Sequence, residues 1–579
     1  MTGMIRQRAS RLPWLGLALF AAVLPFELKT ALVTLGPITI TNVEAILYAL
    51  IAWWIFSVLR ARRIHWTLAH SAVLAWLIVQ FAAAIFAPAG RDATIKFALR
   101  SAGGAAVFFI AAEWIRSGHG TAWLMSAIAL GAVISACAGM FEVQASAVQS
   151  ALLIFKTQPT LVGGQVRAGG TFQYANTAAM YWEAALPIIL AAGAWWSIGR
   201  ARRRWLPRSV ALTASLIVIE AIILSASRAA LVSTGIALAI MIIADRISST
   251  RSGVGKPAGI SLLALGALIG AQLLVNPMFT ARLRSESDDG WFRAAIQPSR
   301  SRLAVSADSV ITETLVITNT SVRPWTASDV RPVYVSYHWI QPDSRRVFIL
   351  DGERTSLPRD LAPGESAAVS AFVKVPPITG TLLLQWDLVQ EDVTWFSERG
   401  SPAAEVNVRV MPAQHRSEGM AIPVHGQLRD TSSPPRTELW QAGVQMWLSH
   451  PLLGIGPDNF RHEYGSYLGR AAFNVRITAN NWYIELLATT GVVGLVIWLL
   501  VPAALILIAW RQWRMVAQRE RLLVMGLSVA LLTFFIHGAV DYFMEFTPTY
   551  GLFWLIAGLV VGLLTGTRDA EFTGTADRI

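Results

Sequence analysis

The chain has 579 residues, of which 54% are hydrophobic and 15% charged, and its formal net charge is +12. A soluble protein of this length carries about 25% charged residues. The deficit falls in long apolar blocks, so the composition excludes an ordinary soluble protein. Most of the excess positive charge lies in short loops between those blocks, where it predicts orientation in a lipid bilayer, and nucleic acid is not expected as a partner.

Twelve apolar segments approach the length of about 20 residues that a membrane-spanning helix needs. The first follows the basic start Met1 to Arg11 and is predicted to be an uncleaved helix, because further spans follow it. The predicted spans are residues 12–28, 40–60, 66–88, 93–115, 121–144, 176–198, 208–226, 228–245, 258–276, 485–510, 521–541 and 546–566.

Orientation follows from the lysine and arginine bias of the short loops. If the N-terminus is inside, every second loop is basic. We therefore predict a multi-pass protein of the plasma (inner) membrane with both termini cytoplasmic, including the tail 567–579. Residues 1–276 then hold nine spans, residues 485–566 hold three, and the large loop 277–484 is extracytoplasmic.

Part of the large loop has the pattern of a β-domain. From 298 to 412 apolar residues alternate at period two, as in Thr314-Leu-Val-Ile-Thr318, and turns such as Asp351-Gly352 and Pro363-Gly364 separate the runs. This predicts an inserted extracytoplasmic β-sandwich of about seven strands. Its four tryptophans resemble those of the four-tryptophan Ig-like domains, which implies a fold and not a function. They either fill the core or form a glycan-stacking surface, and they are Trp325, Trp339, Trp386 and Trp395.

A short helix is predicted at 436–449, after the β-domain. Trp440, Val444, Trp447 and Leu448 recur there at helical spacing. The helix is amphipathic and lies either on the outer membrane surface or against the β-sandwich.

Two arginines are the strongest candidates for chemistry. Arg228 lies in Leu224-Ser-Ala-Ser-Arg-Ala-Ala230, at the junction of spans seven and eight. This junction faces outside, so the positive-inside bias does not explain Arg228, and ionisable residues at membrane depth are usually functional. Arg436 opens the short helix and precedes the loop His450-Pro-Leu-Leu-Gly-Ile-Gly-Pro-Asp-Asn-Phe460. Alone, Arg436 would be read as a solvated charge.

Two groups of polar residues stand where spans ten and six begin. Asn480 and Asn481 enter span ten from outside, with Glu485 one turn further on. Arg167 and Asn176 bound the segment that leads into span six. For both groups, helix capping and turn chemistry are the alternative to a functional role.

A histidine and a carboxylate lie near the outer end of predicted span eleven. His537 and Asp541 are four residues apart, so they share one face if the helix continues through both. Such a pair is either part of a site or a structural hydrogen bond.

Together these features resemble the O-antigen ligase / Wzy-type polymerase superfamily of polytopic, GT-C-like membrane glycosyltransferases. The resemblance covers nearly the whole membrane portion and does not include the Ig-like insert. The motifs that carry it, in chain order, are Gly170-Thr-Phe…Asn176, Ser227-Arg-Ala229, Arg436…Leu-Trp440, His450-Pro-Leu-Leu-Gly-Ile-Gly456 and Leu486-Leu-Ala-Thr-Thr-Gly-Val-Val-Gly-Leu495.

The resemblance implies an all-α membrane enzyme that moves a glycan from a polyprenyl-diphosphate carrier to an acceptor hydroxyl on the outer face. The acceptor is a glycan, a lipid or a protein. The resemblance assigns Arg228 and Arg436 to the departing diphosphate, with Arg167 as a further candidate, because guanidinium groups bind phosphate oxygens in pairs. No metal site and no cofactor are expected.

The sequence departs from the family at one position. Ligases of this family open the helix after the large loop with a His-Asn pair, and the histidine is the proposed base. Asn480 stands there in this chain, and an amide accepts no proton at working pH. The candidate substitutes are Glu485, His462, and His537 with Asp541. Ligase, Wzy-type polymerase and protein O-oligosaccharyltransferase all remain open, as do a secondary transporter and a non-catalytic surface scaffold.

Overall fold

The computed structural model describes most of the chain as a helical bundle with a β-rich insert. The described residues are 12–35, 38–61, 65–116, 120–162, 165–198, 205–247, 253–284, 289–328, 331–391, 393–412, 434–469 and 473–566. The predicted cytoplasmic tail and most of the link between the β-domain and the short helix therefore lie outside the described residues.

Within the described residues, eleven helices are long and apolar enough to cross a membrane. They are α2 (Asn42–Ala61), α3 (Leu68–Ile85), α4 (Arg91–Ile115), α5 (Thr121–Gln144), α7 (Ala175–Ser197), α8 (Trp205–Leu224), α9 (Arg228–Ile247), α10 (Gly255–Val275), α14 (Trp482–Gln512), α15 (Gln518–His537) and α16 (Thr547–Thr565). Each lies where a span is predicted, which confirms a polytopic membrane protein.

The predicted first span is the exception. Its described part is α1 (Leu12–Val23), which continues as a single 3₁₀ turn, Leu24–Phe26. This apolar helix is shorter than the length that a span needs. The described count of eleven long spans is therefore one below the predicted twelve. The remaining helices are short: α6 (Ser146–Ala151), α11 (Pro277–Arg284), α12 (Arg436–Ser449) and α13 (Phe460–Tyr467).

Helix α7 lies at the centre of the bundle, where its membrane-length stretch is completely buried. Close approach of its neighbours depends on glycine. A Cβ on Gly193 would lie 2.3 Å from the Cβ of Ala211 on α8, and one on Gly526 of α15 would lie 2.4 Å from the Cβ of Ala191. Small residues at such crossings let membrane helices pack backbone to backbone. This central helix carries two polar residues of the site described below.

The insert consists of two sheets around one shared core. Its strands are β5 (Ala294–Pro298), β6 (Arg302–Ser306), β7 (Val310–Asn319), β8 (Val333–Ile340), β9 (Val347–Ile349), β10 (Thr355–Ser356), β11 (Ser366–Lys374), β12 (Gly380–Gln390), β13 (Thr394–Trp395) and β14 (Ala404–Met411). Two earlier hairpins pair β1 (Val33–Leu35) with β2 (Ile38–Ile40), and β3 (Leu161–Val162) with β4 (Gln165–Val166).

The smaller sheet has the order β11-β7-β5, and the larger follows β10-β8-β12-β14-β6, with β9 and β13 at its side. All pairings are antiparallel except that of β14 with β6. Trp325, Trp339 and Trp386 are fully buried in the shared core, as the core interpretation predicts. Trp395 is half-buried and packs against the ring of His338, 4.4 Å away between centroids. The Ig-like class of this β-domain stays a prediction.

The β-insert is seated on the bundle through two short elements. Val162 of β3 and Ala281 of α11 both belong to the core of the insert. The insert is therefore packed against the loop between α5 and α7 and against the helix that follows α10. We call this end of the bundle the insert end.

Helix α14 is broken at Gly491, and the loop 450–456 fills the break. Gly491 has φ 66° and ψ −171°, a conformation that is essentially restricted to glycine. The loop donates from Ile455 N to Ala488 O (2.9 Å) and from Gly456 N to Thr489 O (3.0 Å). It also accepts from Val492 N at Pro451 O (2.9 Å). The backbone groups that the break frees thus find partners in the loop.

Helix α12 has the predicted bounds, but the face it buries is not the predicted stripe. Leu439, Ala442 and Met446 are buried in a cluster that includes Phe460 and Ala488. The helix therefore packs on α13 and α14 within the protein. Of the predicted stripe, Val444 and Leu448 remain exposed, and Trp440 and Trp447 are half-buried. Of the two predicted positions, packing against the β-sandwich is replaced by packing on α13 and α14, and the position on the outer membrane surface stays a prediction.

Candidate functional site

A cavity of about 320 Å³ at the insert end brings three arginines together. They are Arg228, Arg282 and Arg436, and each comes from the end of a different helix. The cavity is lined by Asn176, Ser227, Arg228, Ala229, Val232, Arg282, Arg436, Ile536, His537, Val540 and Asp541. Five of these residues are candidates from the sequence.

Arg228 and Arg436 reach the cavity because each is the first residue of its helix. Arg228 follows a tight turn in which Ala226 has φ 50°, a left-handed conformation that is uncommon for alanine. Arg436 follows Pro435, whose φ of −54° suits the start of a helix. Packing of α12 on α14 then holds Arg436 in place, since a Cβ on Gly443 would lie 2.4 Å from Ile484. Two helix starts that are far apart in the sequence thus place their arginines in one cavity.

Arg282 was not among the residues selected from the sequence. It lies on α11, next to Ala281, which belongs to the core of the β-insert. The available signal was its position shortly after predicted span nine, at the end that the loop charges predict to face outside, where the positive-inside bias disfavours cations. The same argument selected Arg228.

Arg167 does not line the three-arginine cavity but helps to build it. It lines a smaller neighbouring cavity of about 70 Å³ together with Arg282. Its Nε donates to Ser225 O (2.6 Å), and its Nη2 donates to Asn176 Oδ1 (2.6 Å). Asn176 Nδ2 in turn donates to Asp541 Oδ2 (2.8 Å). This chain of bonds ties the start of α7 to the turn before α9 and to the segment after α15.

Replacing Asn176 by leucine is expected to break that chain at both ends. Arg167 and Asp541 are each only 7% exposed, so both would be left buried without this partner. Such a loss costs about 2–4 kcal/mol. We expect a lower midpoint of thermal unfolding in detergent, whereas Gln144→Ala, at the exposed end of α5, should leave it unchanged. An Asn176→Leu variant as stable as the wild type would contradict the role given to this chain.

A buried ion pair braces the segment between Arg167 and Asn176. Lys156 Nζ lies 2.5 Å from Glu142 Oε1, and both residues are completely buried. The other carboxylate oxygen, Oε2, accepts from Gly169 N (3.0 Å) and Gly170 N (2.8 Å). All of these groups are partnered, so the pair acts as a structural support for the loop that ends at α7.

His537 and Asp541 do not form the pair that their spacing predicts. Helix α15 ends at His537, so Asp541 lies beyond the helix and does not share a face with it. His537 Nδ1 instead contacts Glu183 Oε1 on α7, at 2.8 Å. Glu183 was missed in the sequence, although an ionisable residue inside a predicted span is itself a signal.

Asn480, Asn481 and Glu485 lie beside the cavity and do not line it. Asn481 caps α14 by accepting from Ile484 N (3.0 Å), and it donates to Ala539 O (2.7 Å). Asn480 has φ 47°, a conformation that asparagine tolerates. Glu485 is buried and accepts from Ala479 N (2.8 Å). These contacts favour the capping and turn interpretation for all three residues.

Two acidic residues lie close to Arg461, near the start of α14. Arg461 Nη2 lies 2.5 Å from Asp458 Oδ2, and its Nη1 lies 3.8 Å from Glu545 Oε2. Burial raises the pKa of the Asp458 carboxyl above its ordinary value, while Arg461 opposes that shift. Burial raises the pKa of Glu545 to about 7, against the same opposing arginine.

We expect the raised pKa of Glu545 to make stability depend on pH. The unfolded chain loses this proton near pH 4.5, whereas the folded protein keeps it until about pH 7. Stability therefore falls as pH rises through this window, by about 3 kcal/mol for such a shift. Glu545→Gln should flatten the fall between pH 5 and 8 in thermal unfolding. The control is Asp343→Asn, at an exposed position, which should leave the fall in stability unchanged. If Glu545→Gln and the wild type show the same dependence of the unfolding midpoint on pH, this assignment is contradicted.

A larger cavity, about 890 Å³, lies at the opposite end of the bundle between α14 and α15. It is lined mainly by apolar residues such as Leu505, Ile506 and Leu531, with Arg511 and Arg514 at its edge. Its chemistry fits lipid chains and offers few polar groups for a reaction. Among the described residues, no three histidine, cysteine, aspartate or glutamate side chains lie together as a metal site.

The fold and the site define a polytopic membrane protein with a cluster of cationic side chains at one end of its helical bundle. The sequence model of the O-antigen ligase family matches residues 366–499. The match runs from β11 through Arg436, the 450–456 loop and the break in α14. It confirms the resemblance to the O-antigen ligase / Wzy superfamily and supports a glycosyltransferase-like membrane enzyme of the ligase or polymerase type. No curated protein matches the chain.

Proposed function

We propose that this protein transfers a glycan from a polyprenyl-diphosphate carrier to an acceptor hydroxyl at the outer face of the plasma (inner) membrane. The observation that carries the proposal is the single cavity lined by Arg228 and Arg436, with Arg282 as a third cation. The family match covers Arg436, and the cavity adds Arg228 from outside the matched region.

The chemistry requires cations where a diphosphate leaves. As the bond from the sugar to the phosphate oxygen breaks, negative charge grows on the lipid diphosphate. Arginines stay charged at any working pH and bind phosphate oxygens through two parallel hydrogen bonds. In a partly buried cavity they stabilise the departing group without a metal ion. The reaction we propose is a single displacement at the anomeric carbon with inversion of its configuration.

The orientation of the site follows from the basic loops. With both termini cytoplasmic, the insert end and its cavity face the outside. The carrier lies along the lipid-facing side of the helices, and the acceptor enters from the aqueous side beneath the β-insert. We assign this insert to the Ig-like class and give it the task of holding the acceptor glycan, because its core packs around Ala281, next to Arg282.

The test is glycan transfer by purified protein in proteoliposomes, with a polyprenyl-diphosphate-linked oligosaccharide as donor. The acceptor panel includes the free oligosaccharide, a lipid-linked saccharide and a peptide that contains serine. We expect transfer to one acceptor class, which distinguishes ligase, polymerase and protein O-glycosylation. Inverted configuration in the product supports single displacement, and retained configuration contradicts it. Absence of transfer across the panel would favour a non-catalytic scaffold.

A further inference from the structure

A buried histidine–carboxylate pair lies against the three-arginine cavity. His537 Nδ1 contacts Glu183 Oε1 at 2.8 Å, and the hydroxyl of Ser233 on α9 donates to Glu183 Oε2. Glu183 is completely buried and His537 is 1% exposed. Both oxygens of the carboxylate therefore face a donor, an arrangement that places a hydrogen on Nδ1 and leaves a lone pair on Nε2.

The second ring nitrogen of His537 has no hydrogen-bond partner within the described part of the chain. The residue nevertheless lines the cavity that contains Arg228 and Arg436. The Nε2 atom itself is buried, and the ring of Phe543 packs edge-on against the imidazole, with centroids 4.7 Å apart. A buried polar atom usually has a partner, and an unpaired one beside a cavity calls for a ligand.

We propose that His537 is the general base that accepts the proton of the acceptor hydroxyl, with Glu183 as its positioning residue. This inference rests on the proposed function, and it names the group that replaces the base missing at Asn480. Glu183 fixes the tautomer and the plane of the ring and stabilises the imidazolium ion that forms. The acceptor hydroxyl meets Nε2 on entering the cavity, since catalytic hydrogen bonds commonly form only in the substrate complex.

The proposed step balances its atoms and charges. The acceptor oxygen forms a bond to the anomeric carbon while its proton moves to His537 Nε2. The bond from that carbon to the phosphate oxygen breaks, and the electron pair leaves with the lipid diphosphate, next to Arg228 and Arg436. The imidazolium ion then releases its proton to water as the product departs.

The other candidate bases are less suited to this step. Both carboxylate oxygens of Asp541 are occupied, because Tyr542 N donates to Oδ1 (2.9 Å) and Asn176 Nδ2 to Oδ2 (2.8 Å). Glu485 accepts from Ala479 N and does not line the cavity. His462 is exposed on α13 and also lies outside the cavity lining. His537 is the candidate from the sequence that has both an oriented ring and a nitrogen without a partner.

The test is chemical rescue of His537→Ala with the donor and the acceptor active in the wild-type assay. We expect transfer to fall by about 10²–10⁴-fold, as is usual on loss of a general base. Binding of the lipid-linked oligosaccharide should persist, because the arginines remain. Added imidazole should raise the transfer rate of the variant at least about tenfold. Pyrazole has the same shape but is far less basic, so it should not raise the rate. Equal rescue by both would indicate space filling alone and would overturn the proposal.

Further variants keep the proposal separate from folding and from the proposed function. His537→Gln retains polar contact with Glu183 but provides no base, so it should fold, bind donor and lose transfer like the alanine variant. Glu183→Gln should lower kcat with little change in KM for the acceptor. The control is His65→Ala at the opposite end of the bundle, which should transfer normally. A His537→Gln variant with wild-type turnover would refute the proposed base, whereas inactive wild-type protein would refute the proposed function itself.

Discussion

Alanine in place of Arg228 or Arg436 is expected to lower glycan transfer by about 10²–10³-fold, and replacement of both should leave no measurable transfer. Each arginine stands at the first residue of a helix and lines the same cavity, so each can contact the departing diphosphate. Stabilisation of a leaving group acts in the transition state, so the loss should fall mainly on kcat. The measurement is initial rates in proteoliposomes over a range of donor concentrations.

Lysine variants test whether positive charge alone is enough or whether the guanidinium group is needed. Lysine keeps the charge but lacks the planar fork of the guanidinium group, so Arg436→Lys should recover only part of the rate. Full recovery would mean that charge alone matters. Arg300→Ala, on the exposed surface of the β-insert, is the matched control and should transfer at the wild-type rate. Wild-type kinetics in both Arg228→Ala and Arg436→Ala would contradict the cavity as the donor site.

Arg282→Ala tests the third arginine of the cavity, which was not predicted from the sequence, in the same transfer assay. If the third arginine also binds the diphosphate, its loss should lower transfer by a smaller factor than loss of Arg436, because Arg282 lies between two cavities. The effect should appear in the same rate measurement. An unchanged rate would restrict the donor site to the two arginines that the family resemblance assigns.

The long spans could be predicted from the sequence because hydropathy and length are local properties. The end of α15 could not be predicted equally well. The apolar pattern continues past His537, but Gly538 follows it, and the helix ends there with Trp482 N donating to Gly538 O at 2.7 Å. That contact comes from a different helix, so no spacing rule within the span reveals it. For this reason the alternative of a structural hydrogen bond between His537 and Asp541 was wrong, whereas a part for both residues in a site stays a prediction.

Contacts between distant segments also explain the other differences. Helix α12 has apolar residues on two faces, and periodicity alone does not tell which face meets the protein. Gly443 and Ile484 decide it, because their close contact packs α12 on α14. The partner of His537, Glu183, lies on α7 and is likewise distant in the sequence. The sequence could therefore identify most polar candidates, whereas their pairing depends on tertiary contacts.

Alanine at Gly491 is expected to be among the most damaging single changes in the membrane domain. The added Cβ would lie 2.2 Å from Leu452 O and 2.3 Å from Leu452 C, both of which are backbone atoms. The backbone conformation at this position is also essentially closed to alanine. Strain and overlap together should cost more than about 3 kcal/mol and expel the 450–456 loop from the break in α14. We expect a lower unfolding midpoint in detergent and loss of transfer, because α12 and Arg436 depend on this packing.

A double-mutant cycle tests whether the loop and the helix break form one unit. Gly454 has φ 66°, and a Cβ there would lie 2.5 Å from Ala488 O, on the other side of the same contact. If either substitution already expels the loop, the second should add little, so the two losses of stability should be strongly non-additive. Gly266→Ala on α10 is the control, since a Cβ there meets nothing within 4 Å, and it should be neutral or slightly stabilising. Additive losses from Gly491→Ala and Gly454→Ala would mean that the two glycines act separately and that the loop does not repair the helix.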